Sequence, residues 1–304
     1  MSKIITYSPA FTIVPTYECF NNCTYCNFRT DPYIYPWLTL EEARKILTNL
    51  MGKKVTEILI LSGEIHPKSF RRKLWIQLLY DLGKLALEMG FYPHTNAGVL
   101  SYNEMALLKE VNVSMGLMLE QLTPNLLNTV HRHAPTKIPK LRLQQLEWAG
   151  KLKIPFTTGL LLGIGETLDD RIETLGSITT IQAKWGHIQE VILQPYVKGS
   201  QEKFLGESVS LSEIFEVISI AREILPESVT IQIPPNLINN EQALLKCLDL
   251  GVRDLGGIVP KDEVNPDYHH HSLDKLTMIL SQGGWELKPR LPVYPQYYSW
   301  VNID

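Results

Sequence analysis

The chain has 304 residues, of which 44% are hydrophobic, 9% aromatic and 20% charged. That is ample material for a large core, and it excludes an intrinsically disordered chain. With 29 Lys and Arg against 32 Asp and Glu there is no basic excess to neutralise a phosphate backbone or an anionic membrane, so neither nucleic acid nor membrane is expected as a partner. The opening MSKIITYSPAFTIVPTYECF lacks a signal-peptide pattern and no apolar run reaches ~18 residues, which predicts a cytoplasmic location.

In chain order, short β-rich apolar runs predict strands over Phe11 to Thr16, Glu57 to Leu61, Phe91 to Thr95, Val113 to Leu119, Phe156 to Leu162, Glu190 to Leu193 and Thr230 to Ile233, with a brief eighth near Asp254. Between them, Thr39 and Glu42 make a capping box ahead of the first helix, and Gly90 stops a helix over Leu74 to Met89. Further helices fit Asn103 to Glu110, Lys140 to Lys151, Leu168 to Trp185, Leu211 to Leu225, Glu241 to Leu250 and Leu273 to Leu280. Strict β/α alternation argues for an α/β fold with a parallel sheet, and seven or eight units favour closing it into a complete or nearly complete TIM-like (β/α) barrel. An open doubly wound sheet is the rival, although no G-x-G-x-x-G opens the first unit as a dinucleotide fold would. Residues 1–304 thus read as one barrel domain. A Pro- and Tyr-rich tail from about Lys288 is expected to lie extended across the outside, its aromatics packing.

Three of the four cysteines fall in TYECFNNCTYCNFR as C-x3-C-x2-C: Cys19, Cys23 and Cys26, in the loop after the first strand. Three thiolates on one short loop can converge on one metal centre. Zinc sites usually take four ligands in paired C-x2-C form, and the remaining Cys247 lies far downstream in a helix pattern. A cubane held by three cysteines keeps one iron open for a further ligand. A zinc or structural reading and a cluster reading both stand on spacing alone.

C-x3-C-x2-C with Tyr25 before the last cysteine resembles the radical S-adenosylmethionine (SAM) superfamily. The resemblance implies a [4Fe-4S] cluster on the three cysteines, chelation of the methionine moiety by the open iron, and cleavage of the sulfonium to a 5′-deoxyadenosyl radical. It implies further that Ser62, Gly63 and Glu64 in LSGE correspond to the element meeting the methionine ammonium. Glu120, ending VSMGLMLE, matches the position of a ribose-hydroxyl acceptor, and Gly163 and Gly165 in GIGET match the glycine-rich turn beside adenine. Arg142 is a candidate carboxylate partner, since guanidinium binds carboxylate bidentately. Each element is weak singly, yet strand C-termini of a βα barrel share one mouth, so the elements converge.

Over nearly the whole chain, TYSPAFTIVPTYECFNNCTYCNFR, LSGEIHP, HTNAG, SMGLMLE, GLLLGIGET and DLGGIVPKDEVNPDY are similar to the FO-forming half of the deazaflavin (FO) synthase family. This implies a lyase acting on an adduct of tyrosine with a ribityl-diaminouracil, through hydrogen abstraction, ammonia loss and ring closure. It also implies a low-potential electron donor and an adduct-forming partner enzyme. Two features stand apart: Val259 precedes Pro260 where a small hydroxyl residue is expected, and the His269 to His271 run reads as a solvated turn sooner than a metal site. For substrate contacts, His66, Asn96, Gln194, Gln232 and Asp254 are the polar candidates at strand ends. Asn96 and Asp254 are expected to hold substrate, and His66 could act as acid or base. Met115 and Met118 are expected in the core. The alternatives are the partner transferase that makes the adduct and, from another class, a non-enzymatic iron–sulfur carrier, which would need four protein ligands.

Overall fold

The computed structural model describes residues 3–238, 240–301 and 303. Eight parallel strands close on themselves: β1 (Lys3–Ile13), β2 (Glu57–Leu61), β3 (Tyr92–Asn96), β4 (Ser114–Gly116), β5 (Phe156–Leu162), β6 (Ile188–Pro195), β7 (Thr230–Gln232) and β8 (Asp254–Ile258), with β8 and β2 both pairing with β1. A ninth strand, β9 (Trp285–Pro289), pairs in parallel with Lys3 to Tyr7 of β1, below the point where β2 begins. The helices α1 (Leu40–Thr48), α2 (Arg72–Glu88), α3 (Tyr102–Lys109), α4 (Pro139–Lys151), α5 (Leu168–Trp185), α6 (Leu211–Ile224), α7 (Glu241–Leu250) and α8 (Leu273–Gln282) ring the barrel. The TIM-like barrel is the observed fold. Among the described residues no helix is long and apolar enough to cross a membrane.

Local chemistry starts and stops these elements. Thr39 and Glu42 cap α1 reciprocally, and the same device opens α3 (Ser101, Glu104), α5 (Thr167, Asp170) and α6 (Ser210, Glu213), each box adding about 1 kcal/mol. Gly90, at φ +83°, ends α2 as its position predicts. Period-two alternation divides each strand between two faces: Ile58 and Ile60 on β2 are fully buried in the core, while Glu57, Leu59 and Leu61 face the barrel interior.

Several expectations need correcting. β1 starts at Lys3 instead of Phe11, because its first half gains a partner, β9, from the far end of the chain. β4 is shorter than Val113 to Leu119, since Leu119 N–H turns to the Thr158 hydroxyl and leaves the ladder. The tail does not merely cross the outside. It runs under the N-terminal end of the barrel, packs Val293 and Tyr297 on Val113, and inserts Arg290 between β6 and β8.

That insertion relocates Asp254. It is the first residue of β8, at the end opposite the mouth, and is fully buried. Both its carboxylate oxygens accept from Arg290, at 2.6 and 2.7 Å, so it cannot be a substrate contact at the mouth.

Candidate active site

Backbone bonds from two sides fix the cysteine loop. Gly63 N–H donates to Thr16 O at 2.8 Å and Phe20 N–H to Glu64 O at 3.0 Å, while Asn22 and Thr24 donate to His133 O and Val130 O. A Cβ on Gly63 would stand 2.2 Å from the Glu18 carbonyl, so glycine is required where the end of β2 meets this loop. Cys19, Cys23 and Cys26 line one cavity together with Gly63, Glu64, Glu120 and Arg142.

Among the described residues no three His, Cys, Asp or Glu side chains converge as a single ion would need. A cubane presents three separate irons, one to each thiolate, so its ligands stand wider apart. Burial pushes the Cys19 thiol up in pKa and carries Cys23 to about 12. Their deprotonation therefore calls for a cationic occupant.

Glu64 is the clearest sign of what that occupant carries. Its Oε2 accepts from Asn21 Nδ2 at 3.0 Å and from the Thr136 hydroxyl at 2.8 Å, whereas Oε1 is buried with no hydrogen bond of regular geometry. Burial raises its pKa against the pull of Thr136, Arg142, the Val99 N–H and Arg72. An ammonium group would satisfy the orphaned oxygen.

Glu120 is held differently. It adopts φ +68°, a left-handed conformation uncommon outside glycine, and its carboxylate pairs with Lys137 and accepts from Tyr25 Oη at 3.2 Å. Burial would raise its pKa, but Lys137, Arg142 and His131 bring it down to about 2, so it is ionised and ready to accept hydroxyl hydrogen bonds. Tyr25 also sits 2.9 Å from His131 Nε2, beneath Lys137. Arg142 spends two of its five donors on Thr136 O and Met118 O, and its guanidinium lines the cavity. This donor set, three thiols, two acidic side chains and a guanidinium, fits a cluster and a zwitterionic sulfonium ligand.

A second cavity, of about 370 Å³, fills the barrel interior and shares Tyr25, Cys26, Asn96, Met118, Glu120 and Lys137 with the first. Asn96 ends β3 where the two meet, as its position predicts. Gln194 and Gln232 also line it.

Other candidates fall elsewhere. Ser62 lines both cavities, but its hydroxyl donates to Gly63 O and accepts from Trp75 Nε1. His66 is exposed, lines neither cavity, packs on Phe20 and accepts the Lys68 N–H, so it shapes a turn. Gly163 and Gly165, at φ +92° and +112°, form a turn closed by Glu166, which accepts both the Gly163 and Ile164 N–H groups, and they line neither cavity. Met115 is core as expected, but Met118 lines both cavities because it stands beyond the end of β4. His270 is not part of a solvated turn: it is half-buried against the chamber, beside Asp262.

Sequence reasoning missed Asn21, Thr136 and Lys137. Asn21 lies inside the cysteine run and could have been found there, whereas Thr136 and Lys137 sit in a loop whose residues follow no spacing rule.

Residues 13–178 match the Radical SAM superfamily model. The chain is 62% identical over 299 residues to a 7,8-didemethyl-8-hydroxy-5-deazariboflavin synthase from Trichormus variabilis, covering 98% of this chain and 88% of that protein. It is 60% identical to the protein of the same name from Trichodesmium erythraeum, covering 100% and 95%. Among solved structures, the FeFe-hydrogenase maturase HydG from Carboxydothermus hydrogenoformans superposes with a TM-score of 0.80 over 97% of this chain and 70% of that one, at 18% identity, a likeness of fold.

Proposed function

The chain belongs to the radical SAM superfamily and, within it, to the family of 7,8-didemethyl-8-hydroxy-5-deazariboflavin synthases, and from that premise we propose that it performs the FO-forming lyase step. In this reading the substrate is the adduct of tyrosine with 5-amino-6-ribitylaminouracil, and hydrogen abstraction, ring closure, ammonia release and loss of one further electron and proton give the deazaflavin. This two-electron oxidation is matched by reductive cleavage of one SAM to methionine and 5′-deoxyadenosine. The family implies a [4Fe-4S] cluster and SAM, which when bound supply one-electron hydrogen-abstraction chemistry. We assign the cluster to Cys19, Cys23 and Cys26.

The protein's own residues then bind, orient and shield. Glu64, steadied by Asn21 and Thr136, offers Oε1 to the methionine ammonium, and Glu120, kept ionised by Lys137, accepts ribose hydroxyls. Asn96 borders both cavities and can orient the substrate carbon toward the cofactor side. Lys203 N–H on Thr24 O and Gln201 N–H on the Asn27 side chain tie the loop after β6 to the cysteine loop, and the Ser200 bonds tie it to Asp267 in the loop after β8, an arrangement that would help to shield a reactive site from water. A cytoplasmic low-potential donor would supply the electron, and the adduct-forming enzyme the substrate.

The observation that carries the reading is the junction of the cysteine-lined cavity with a 370 Å³ chamber large enough for a two-ring substrate. Anaerobically reconstituted protein with SAM and dithionite should convert the adduct to deazaflavin and ammonia in step with 5′-deoxyadenosine, as read by mass spectrometry. Tyrosine plus free diaminouracil should give only slow, uncoupled cleavage. Efficient joining of those two, with the adduct left untouched, would make the chain the partner transferase.

A further inference from the structure

The interior of a βα barrel is normally filled by layers of bulky apolar side chains. Here the lowest layer is polar: Glu57, His94, Thr157, Glu190 and Gln232 face inward above Arg290. Such groups are costly to bury unless partnered, so their bonds can be counted.

Arg290 is spent. It donates to both oxygens of Asp254, to Glu190 Oε1 at 2.8 Å and to Leu291 O at 3.0 Å. Glu190 is spent as well, accepting also from Tyr294 Oη at 3.1 Å and Thr157 Oγ1 at 3.3 Å, and from Gln232 at 3.0 Å in the amide orientation that satisfies both side chains.

Two chamber-facing groups are left over. Glu57 is 7% exposed, and among the described residues no hydrogen bond of regular geometry engages its carboxyl; the nearby Ser8 hydroxyl is itself without one. His94 sits one pleat higher on the neighbouring strand, since Leu59 pairs with His94 and Glu57 with Tyr92. Its tautomer follows from a chain of bonds. The Ser114 hydroxyl donates to Pro292 O at 2.7 Å, so at 2.7 Å from His94 Nδ1 it can only accept. Nδ1 therefore carries the proton, and Nε2 is a bare acceptor.

With the cation fully paired, this floor has no free positive charge for a phosphate or carboxylate. What it offers is a carboxyl and an imidazole nitrogen with hydrogen-bonding capacity to spare, which suits a chain of hydroxyl groups. The ribityl hydroxyls take no part in bond making, so they can lie remote from the cysteine loop.

We propose that Glu57 and His94 form the subsite for the ribityl chain, on a floor held from below by residues 290–294 of the C-terminal segment. This rests on the adduct being the substrate. Burial pushes the Glu57 carboxyl up in pKa, against Ser8 and Arg290, and in either protonation state it accepts hydrogen bonds from hydroxyl groups. The same burial brings His94 down to about 3 and keeps it neutral.

The test is calorimetric binding to the reconstituted protein of two ligands: the adduct, and the same adduct with an N-ethyl group in place of ribityl. The unsubstituted protein should prefer the ribityl ligand by roughly tenfold or more. Glu57→Leu and His94→Phe should each remove about three- to tenfold of that preference and leave the ethyl ligand unaffected. Glu57→Gln should keep most of it, since an amide donates and accepts. Equal losses on both ligands, or an intact preference in both variants, would overturn the subsite. If the unsubstituted protein binds both ligands equally well the subsite alone fails, and if it binds neither the substrate reading fails and takes the subsite with it.

Discussion

His187, at the entry to β6, is the residue least matched to its surroundings. It is fully buried, neither ring nitrogen makes a hydrogen bond of regular geometry, and burial lowers its pKa to about 4 against Leu146 and Glu147. Below an ordinary pKa of 6.5 the unfolded chain takes up a proton that the folded one refuses. The contribution is thus complete above about pH 6.5 and is lost as pH falls toward 4. His94 and His131, each lowered to about 3, act with the same sign, whereas Glu57, Glu64 and Glu190, each raised by burial, lose their contribution as pH rises from 4.5. Between pH 4.5 and 6.5 the three histidines work against these three acids, and His187 by itself contributes a slope that rises with pH. His187→Phe should flatten that slope by up to about 1.4 kcal/mol per pH unit, measured by urea unfolding at pH 5.5 and 7.5. An unchanged slope would show that His187 takes up its proton in the fold as it does in the unfolded chain. At this scale, spacing made the cysteines legible, but the state of each acid depends on neighbours remote in sequence: Lys137 for Glu120 and Thr136 for Glu64.

Among the elements, β9 and the segment after it carry the clearest consequence. Arg290 serves Asp254 on β8 and Glu190 on β6 at once, from a buried position. Removing it would strand two buried carboxylates, a loss of about 3 to 5 kcal/mol, and lysine should not restore it because an ammonium lacks the planar fork that meets both. Denaturant unfolding of Arg290→Ala and Arg290→Lys checks this. A loss under about 1 kcal/mol in both would mean that the carboxylates find protons or water instead. The helices were legible because their caps and apolar spacing are local, and the Thr39–Glu42 box appears as read. β9 was not, since WELKP has little strand character until Lys3 to Tyr7 supplies a partner.

Across the whole molecule, the closed barrel separates a mouth that carries the cysteine loop from a floor sealed by the tail, with Cys247 outside both on α7. Burial raises that thiol to about 12, which makes it an inert core residue. Cys247→Ala should keep ~4 iron and ~4 sulfide per chain after anaerobic reconstitution, whereas Cys23→Ala should lose them. Cluster loss in Cys247→Ala would remove the three-ligand assignment. The sequence by itself determined the β/α alternation, the cysteine triad and the convergence of LSGE and VSMGLMLE, because each is written in short-range spacing and parallel strands bring their C-terminal ends to one face. Only the tertiary structure decided that Asp254 belongs to the floor, that His66 lies outside the chamber and that Glu57 and His94 lie within it. Which end of a strand a residue occupies, and which neighbour claims its hydrogen bonds, is fixed by strand register and by a tail that returns from the far end of the chain.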